Sequence, residues 1–484
     1  MEKQKEESSV TRTNTITQEN SKDGGWGWVI VASAFMAHVL ADGVLFTLGV
    51  LYIEFLDEFE KGKGKTAWIT SLIPGTMLTV GPITGALTNR FGCRSMCILG
   101  ALVAAAGFVI SCFATSIYYL YCSLGILTGL GFGGIFLSTL VCVGQHFEKR
   151  RSFALGISVS GSGVGTFVFA PVVRILIDEY GWRGAILMEA GFIMNIVLCG
   201  AFFRPVQNKS GKTTDKSVIK NEAIDLSIVE DEIDIKEASM TSKQIFSIVK
   251  NKDEGLQALK TKSTTSPDPS TNSVSSCFSK HFDFGLLTNP AFTIFVVSNY
   301  FTALGFNTPY VYLPDRAEEK GMNQFDSAFL LSIIGISNTF GRIIFGWIAD
   351  RKCVNRLLLY GISLVICGTA NVLNPLNDSK VYLMMYSSVY GMFIGVFVSL
   401  NTVILVDLLG SERLDKALGL LMMFQGIGTI LGPPICGWLY DGTGSYSIPF
   451  YFVGGLVIFS GVVLCFIPLY RRSQTKNSYR ISGE

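Results

Sequence analysis

Charge is what this chain has least of. Of its 484 residues only 16% are Asp, Glu, Lys or Arg, and 49% are hydrophobic, where a soluble chain carries about a quarter of its residues as charges. That scarcity excludes an ordinary soluble domain and leaves a membrane protein that crosses the bilayer many times. The formal net charge is +2, and the basic residues form no aromatic-interleaved patch, which excludes a nucleic-acid surface. Three widely scattered histidines and eleven cysteines, with neither CxxC nor paired extracellular spacing, imply no metal site, no disulfide framework and no cofactor. No catalytic triad or phosphate loop stands out, so an enzyme is not expected. "GSGVG" at Gly161–Gly165 lies inside an apolar run and reads as packing glycine rather than a nucleotide loop. Residues 1–25 are polar and end near Lys22-Asp23, so they are not read as a cleavable signal.

Long apolar runs are what the chain has instead. Windows of about 20 residues pick out twelve candidate spans, near 28–52, 67–88, 95–114, 117–143, 153–177, 184–203, 290–313, 327–349, 357–375, 380–406, 417–440 and 449–470. Lys and Arg in the short loops give the sides. Even-to-odd connections hold Arg90 and Arg94, then Lys149, Arg150 and Arg151, then Arg351, Lys352 and Arg356, then Arg413 and Lys416. Odd-to-even connections carry Asp57, Glu58 and Glu60, then Asp178 and Glu179, then Glu318 and Glu319, with Lys61, Lys63 and Lys65 as the exception. Both termini are therefore expected in the cytoplasm. Residues 204–287, rich in Ser, Thr, Lys, Asp and Glu in mixed order, cannot bury a core and read as a disordered cytoplasmic linker. This divides the chain into a tail (1–25), a six-helix bundle (26–203), the linker, a second bundle (288–470) and a tail (471–484).

The two halves repeat. "TAW" at Thr66–Trp68 corresponds to "SAF" at Ser327–Phe329, a shift of 261 that also takes Gly85 to Gly346, Asn89 to Asp350 and Arg90 to Arg351. A shift of 263 pairs Ala154 with Ala417, Gly163 with Gly426, Gly165 with Gly428, Pro171 with Pro434, Asp178 with Asp441 and Gly181 with Gly444. The expected fold is an all-α membrane protein of twelve transmembrane helices in two pseudo-symmetric six-helix bundles. Duplicated bundles of this kind enclose a midplane site and rock about it. The basic turn "GALTNRFGCR" (Gly85–Arg94) and its echo "GWIADRK" (Gly346–Lys352) suit that motion, with Gly85, Asn89, Arg90, Arg94, Gly346, Asp350 and Arg351 as candidate gating residues. This doubled turn resembles the fingerprint of the major facilitator superfamily.

Two further motifs narrow the resemblance. "DGGWGW" (Asp23, Gly24, Gly25, Trp26, Gly27, Trp28), just before the first span, and "HFEKRRSFALGISVSGSGVG" (His146–Gly165), at the fifth, resemble the signatures of monocarboxylate transporters, solute carrier family sixteen. "FGWIADR" and "ILGPPICGWLYDGTGSY" (Ile430–Tyr446) are similar to that family as well. The resemblance implies a carrier of small carboxylates in the plasma membrane, gating by Lys149, Arg150 and Arg151, and for some relatives a single-span glycoprotein partner. On residue chemistry alone, Trp26 and Trp28 sit where an interfacial aromatic belt belongs. Gly161, Gly163 and Gly165 read as one thin helix face.

The chain also departs from its apparent relatives. Proton-coupled lactate carriers of the family use a lysine in the first span and an Asp–Arg pair in the eighth; here those positions are Phe46, Asn338 and Arg342. An arginine at a bilayer centre costs roughly 2.5–3.5 kcal/mol on insertion scales, so its retention calls for a use. His38, Asp42 and Phe46 are spaced by four and share a face of the first span, and Asn338 and Arg342 lie one turn apart on the eighth. These five are the candidate substrate site, Arg342 holding a carboxylate in a bidentate fork. Asp42 either neutralises Arg342 or reads a cationic group on the solute. Loss of a lysine and gain of Asp42 suit a zwitterion (creatine-, carnitine- or amino-acid-like) better than lactate alone. A proton-coupled lactate or pyruvate symporter, with Asp42 as proton site, is the second reading. A non-transporting sensor or scaffold is the third, and it has no need of Arg342 or the doubled turn.

The charge pattern makes a topological prediction. An epitope inserted near Thr264 is reached by antibody only after cells are permeabilised; labelling of intact cells would overturn the assignment of sides.

Overall fold

The structure is a computed structural model that describes residues 24–147, 150–204, 284–351, 353–410 and 414–468. Both tails and nearly all of the 204–287 linker fall outside the described residues, as do Asp23, Lys149 and Lys352. Every regular element among the described residues is helical. Helix α1 is Trp26–Phe59, and α2 is Lys63–Thr79 continued, past Val80, by Gly81–Phe91. Helix α3 is Cys93–Ser111 and α4 is Ile117–His146, which contains a π-helical turn at Tyr121–Leu127. The stretch Arg151–Met194 is two helices, α5 before Gly181 and α6 after it, the latter continuing through Ile196–Ala201. Then come α7 (Pro290–Phe306 and Thr308–Glu319), α8 (Gln324–Ala349), α9 (Arg356–Leu373), α10 (Lys380–Leu409), α11 (Leu414–Thr443) and α12 (Ser447–Val463).

Local chemistry explains where these helices begin and break. The side chains of Asn289, Asn323, Asn355 and Ser379 accept from the first free backbone N–H groups of α7, α8, α9 and α10, donors that have no partner within the helix. Gly181 (φ 66°, ψ 171°) breaks the α5–α6 stretch in a conformation that only glycine adopts without strain. Without that break the 49 residues Phe153–Ala201 would reach about 74 Å, more than twice a hydrocarbon core. Among the described residues nine helices are long and apolar enough to cross a membrane. The count falls short of the twelve apolar runs for physical reasons. One of the nine is the α5–α6 pair, and α2 and α7 are each interrupted beside a proline (Pro82; Pro309) into pieces below a span's length.

Packing is set by glycine. A Cβ built on Gly165 would lie 2.2 Å from the Val39 carbonyl oxygen, and one on Gly161 would lie 2.3 Å from that of Phe35. One on Gly163 would lie 2.2 Å from Thr339 Oγ1 and 2.5 Å from the Gly335 carbonyl oxygen. These glycines therefore do not form one thin face. At about 100° per residue, positions two apart point to opposite sides, so Gly161 and Gly165 seat α5 on α1 while Gly163 seats it on α8. The second half repeats the device: Gly428 and Gly432 meet α7 at Tyr300 and Leu304, and Gly426 meets α2 at Gly75 and Thr79. The halves thus touch along two equivalent seams, α5 with α8 and α2 with α11, in the manner of small-residue packing in lipid. Exposed apolar side chains such as Phe113, Ile175, Leu198, Phe340, Ile343 and Trp347 cover the outside.

Candidate functional site

Helical phase places the candidate residues. Helix α8 meets α5 through Gly335 and Thr339, and meets α10 through Ile334, the Asn338 carbonyl and Gly341. Phe340, Ile343 and Trp347 are exposed on its far side. Asn338 and Arg342 fall between the two contacts, on the interior face, and are 3% and 7% exposed. Arg342 Nη1 donates to the Val159 carbonyl of α5 at 2.6 Å. Its Nε and the Asn338 Nδ2 are enclosed without a partner, and among the described residues Arg342 makes no ion pair. Its electrostatic neighbours are Tyr310 and Asp42. A guanidinium held by one backbone carbonyl, beside a free amide donor, is a carboxylate receptor in its chemistry.

Asp42 does not bond Arg342. Its Oδ2 lies 2.9 Å from His38 Nδ1, and His38 Nε2 lies 3.1 Å from Thr139 Oγ1 on α4. The Thr139 hydroxyl also reaches the Phe136 carbonyl at 2.7 Å. His38 thus bridges Asp42 to α4, and Asp42 is an electrostatic neighbour of Arg342 without being bonded to it.

Beyond Phe46 the interior closes in layers. The Phe46 ring lies 4.9 Å from Tyr310 and 6.0 Å from Phe306, centroid to centroid. A turn further out Gly49 lets the Tyr310 backbone approach, and Tyr52 packs edge-on against Tyr312 at 5.4 Å. The last layer is charged. Lys63 Nζ lies 2.6 Å from Asp315 Oδ2, 2.5 Å from the Tyr446 hydroxyl and 3.6 Å from Glu319, over the rings of Tyr440 (4.1 Å) and Tyr446 (4.3 Å). Tyr446 also donates to Asp315. Asp441, at the end of α11, accepts from the backbone N–H groups of Lys63 and Gly64, each at 2.9 Å. A carboxylate of one half thus caps the positive end of a helix of the other. Lys63 stood out in the sequence only as a cation on an acidic side; partners more than 250 positions away could not be read from it.

The remaining sequence candidates divide. Trp26 donates to the Phe202 carbonyl at 3.1 Å with Arg204 stacked on its ring at 3.8 Å. Trp28 packs on Phe147 at 5.1 Å, and a Cβ on Gly27 would meet that same ring. Gly25 has φ 57°, and Gly24 has open space around it. The tryptophan motif therefore ties the start of α1 to the ends of α4 and α6. A Cβ on Gly85 would meet Leu137 at 2.9 Å, whereas one on Gly346 would meet nothing. Asn89, Arg90, Arg94 and Arg151 are exposed. Arg351 stacks on Trp347 at 4.0 Å. Asp350 lies 4.0 Å from Arg356, which holds Asp407 at 3.1 Å, so those bonds stay within one half. Arg150 immediately precedes α5. Among the described residues no cluster of His, Cys, Asp and Glu is placed to hold a metal.

Comparison with known proteins agrees with this architecture. The chain matches the Major Facilitator Superfamily over residues 34–373 and 352–482. It is 33% identical over 465 residues to "Monocarboxylate transporter 12" of Mus musculus, covering 96% of this chain and 90% of that one. To "Monocarboxylate transporter 12-B" of Danio rerio it is 36% identical over 461 residues, covering 94% and 90%. To "Monocarboxylate transporter 9" of Rattus norvegicus it is 34% identical over 474 residues, covering 92% and 93%. Among solved structures, a mutant of peptide transporter POT in complex with sulfate superposes with a TM-score of 0.64 at 14% identity, over 92% of this chain and 94% of that one, a likeness of fold.

The charged layer generates a test. Lys63 and Asp315 are each about a tenth exposed, and a hydrogen bond to a charged group is worth about 1.5–3 kcal/mol, so removing it moves a closed-to-open ratio by roughly tenfold or more. Val311, beneath the layer and 4% exposed, is replaced by Cys in a background lacking Cys112 and Cys122. A membrane-impermeant thiol reagent then labels it about tenfold faster in Lys63→Met than with Lys63 intact. Equal rates would show that this layer does not hold the mouth shut.

Proposed function

The chain belongs to the monocarboxylate transporter family of the major facilitator superfamily, and from that membership we propose that it carries small carboxylate-bearing solutes anchored by Arg342. It is a multi-pass membrane protein and a secondary transporter that works by alternating access, not an enzyme. The solutes are monocarboxylates or zwitterions such as creatine, carnitine or amino-acid-like compounds, and the membrane is the plasma membrane. The observation that carries the reading is the Arg342 guanidinium, nine-tenths buried on the interior face of α8, bonded to one carbonyl, with no acidic partner among the described residues. A solute carboxylate satisfies it with two parallel N–H···O bonds. Asn338 Nδ2, one turn away and without a partner, supplies a third donor.

The transport cycle follows from the layers and seams. In this reading each half contributes six crossings, with α2 and α7 crossing as broken helices, and both termini are cytoplasmic. The Lys63 layer then lies on the extracellular side, and the conformation is closed outward. Opening it requires Lys63 to leave Asp315 and Asp441 to leave the α2 end, while the glycine contacts of the two seams serve as pivots. The site meets one side and then the other.

Asp42 separates two coupling modes. A solute cation near Arg342 competes with His38 for the carboxylate, which gives zwitterion transport without a coupled proton. Alternatively the proton between His38 and Asp42 is the coupled one, which gives symport of lactate or pyruvate. The His38–Asp42–Thr139 chain supports this second reading, because it holds a histidine and a carboxylate in hydrogen-bond contact inside the first span.

Two substitutions test these assignments. Arg342→Lys reaches the surface and raises apparent KM by about 10–100-fold, since one point charge replaces a planar fork, and Arg342→Ala loses uptake altogether. Wild-type transport by either would place the carboxylate elsewhere.

Asp42→Asn distinguishes the coupling modes by paired uptake of carnitine or creatine and of lactate, at about pH 6 and about 7.5, with and without an inward proton gradient. Selective loss of the zwitterion marks a cation site, and loss of pH-gradient stimulation for every solute marks a proton site. If neither changes, Asp42 serves only to hold His38.

A further inference from the structure

Ser162 is enclosed, 2% exposed, and its hydroxyl has no hydrogen-bond partner. That is unusual for a helical serine, which ordinarily bonds a carbonyl one turn back. Ser160 donates to Ile157, Thr166 to Ser162 and Thr339 to Gly335, whereas Ser158, one turn before Ser162, is likewise enclosed and unbonded. Its direction follows from the contacts of α5. Gly163 marks the side against α8, Gly161 and Gly165 the side against α1, and Val168 and Ile175 are exposed between them. At about 100° per residue, Ser162 lies opposite Val168 and Ile175, between α1 and α8, and points to the interior. Its level follows as well. Gly163 rests on Gly335 and Thr339, so Ser162 stands beside the turn of α8 that carries Asn338, whose Nδ2 is also enclosed without a partner. One turn back on α5, Val159 binds Arg342.

We infer that Ser162, together with Asn338, is a specificity determinant that reads an oxygen substituent on the carbon chain next to the solute carboxylate. The inference rests on Arg342 as the carboxylate anchor. An amide N–H can only donate, whereas a hydroxyl donates or accepts. A hydroxyl on the solute accepts from Asn338 and donates to Ser162, and a keto oxygen accepts from both, so either gives each of the two groups a partner. A methylene leaves both groups buried and unbonded, and an ammonium at that position opposes the Asn338 donor. Sites built to bond a substrate hydroxyl reject the analogue that lacks it for this reason.

The test uses deoxy pairs, lactate with propionate and 2-hydroxybutyrate with butyrate, in cells expressing the full chain, with surface protein measured by biotinylation. Wild type prefers the oxygenated member of the pair. Ser162→Ala lowers its kcat/KM by about two- to twelve-fold, the range for one neutral hydrogen bond, and leaves the deoxy member unchanged. That unchanged flux shows the variant is folded. Ser162→Cys, which keeps the volume but donates weakly, falls between the two. Equal effects on both members, or none on either, overturn the inference, as does loss of both in proportion to surface protein for Ala and Cys alike, which would mark a packing residue. If wild type carries neither pair, the carboxylate-carrier reading fails first and this inference with it.

Discussion

Three hydrogen atoms on α5, where other residues carry side chains, decide where the chemistry sits. With Gly161 and Gly165 against α1 and Gly163 against α8, the three helices approach to backbone contact. Only at that distance does the Val159 carbonyl reach the Arg342 guanidinium, and only then are Ser162 and Asn338 brought level. In lipid there is no water to press helices together, so such contact comes from fit and from polar bonds between helices. The same glycines therefore do two jobs: Gly161 and Gly165 seat α5 within its own half, Gly163 joins it to the other, and together they place donors in the interior.

Electrostatics divides the interior from the mouth. At Arg342 a charge is kept with one carbonyl bond and no acid among its hydrogen-bond partners, and the nearest carboxylate is occupied by a histidine on its own helix. A buried charge left so costs free energy, which under the proposed function a bound carboxylate recovers. At Lys63 the opposite holds. The ammonium has Asp315, Glu319, a tyrosine hydroxyl and two rings, so the closed mouth is saturated. Binding in one place and closure in the other draw on the same kind of bond, which lets solute and gate shift one equilibrium.

Much of this was legible in the chain, for reasons that differ from residue to residue. The spans were legible because bilayer thickness demands long apolar runs, and the repeat because glycine and proline keep register. Arg342, Asn338 and Asp42 stood out because ionisable and amide groups are rare in such runs, and all three lie on interior faces. The breaks in α2 and α7 were not, since a proline in a membrane helix is often tolerated. The two-sided use of the α5 glycines was missed because spacing by two resembles a motif until helical phase is applied. Ser162 was invisible, as a serine among glycines looks like one more small residue. Lys63 was visible only as an anomaly, because its partners come from the other half of the chain.

The two seams show which interactions move. Gly163 against α8 and Gly426 against α2 are repeat mates, and each makes the same backbone contact. The repeat makes these two contacts equivalent, so the halves meet in the same way along both seams. Asp178 and Asp441 are repeat mates too, yet they have diverged. Asp441 caps the start of α2 in the other half, whereas Asp178 bonds Arg174, one turn back on its own helix, which also holds Glu54. The start of α8 is capped by its own Asn323. A bond within one half survives rocking, and a bond between halves does not. Among the described residues the hydrogen-bonded charges that join the halves at the mouth therefore lie at the start of α2, while Arg174 and Glu54 act on Glu318 across the halves without a bond.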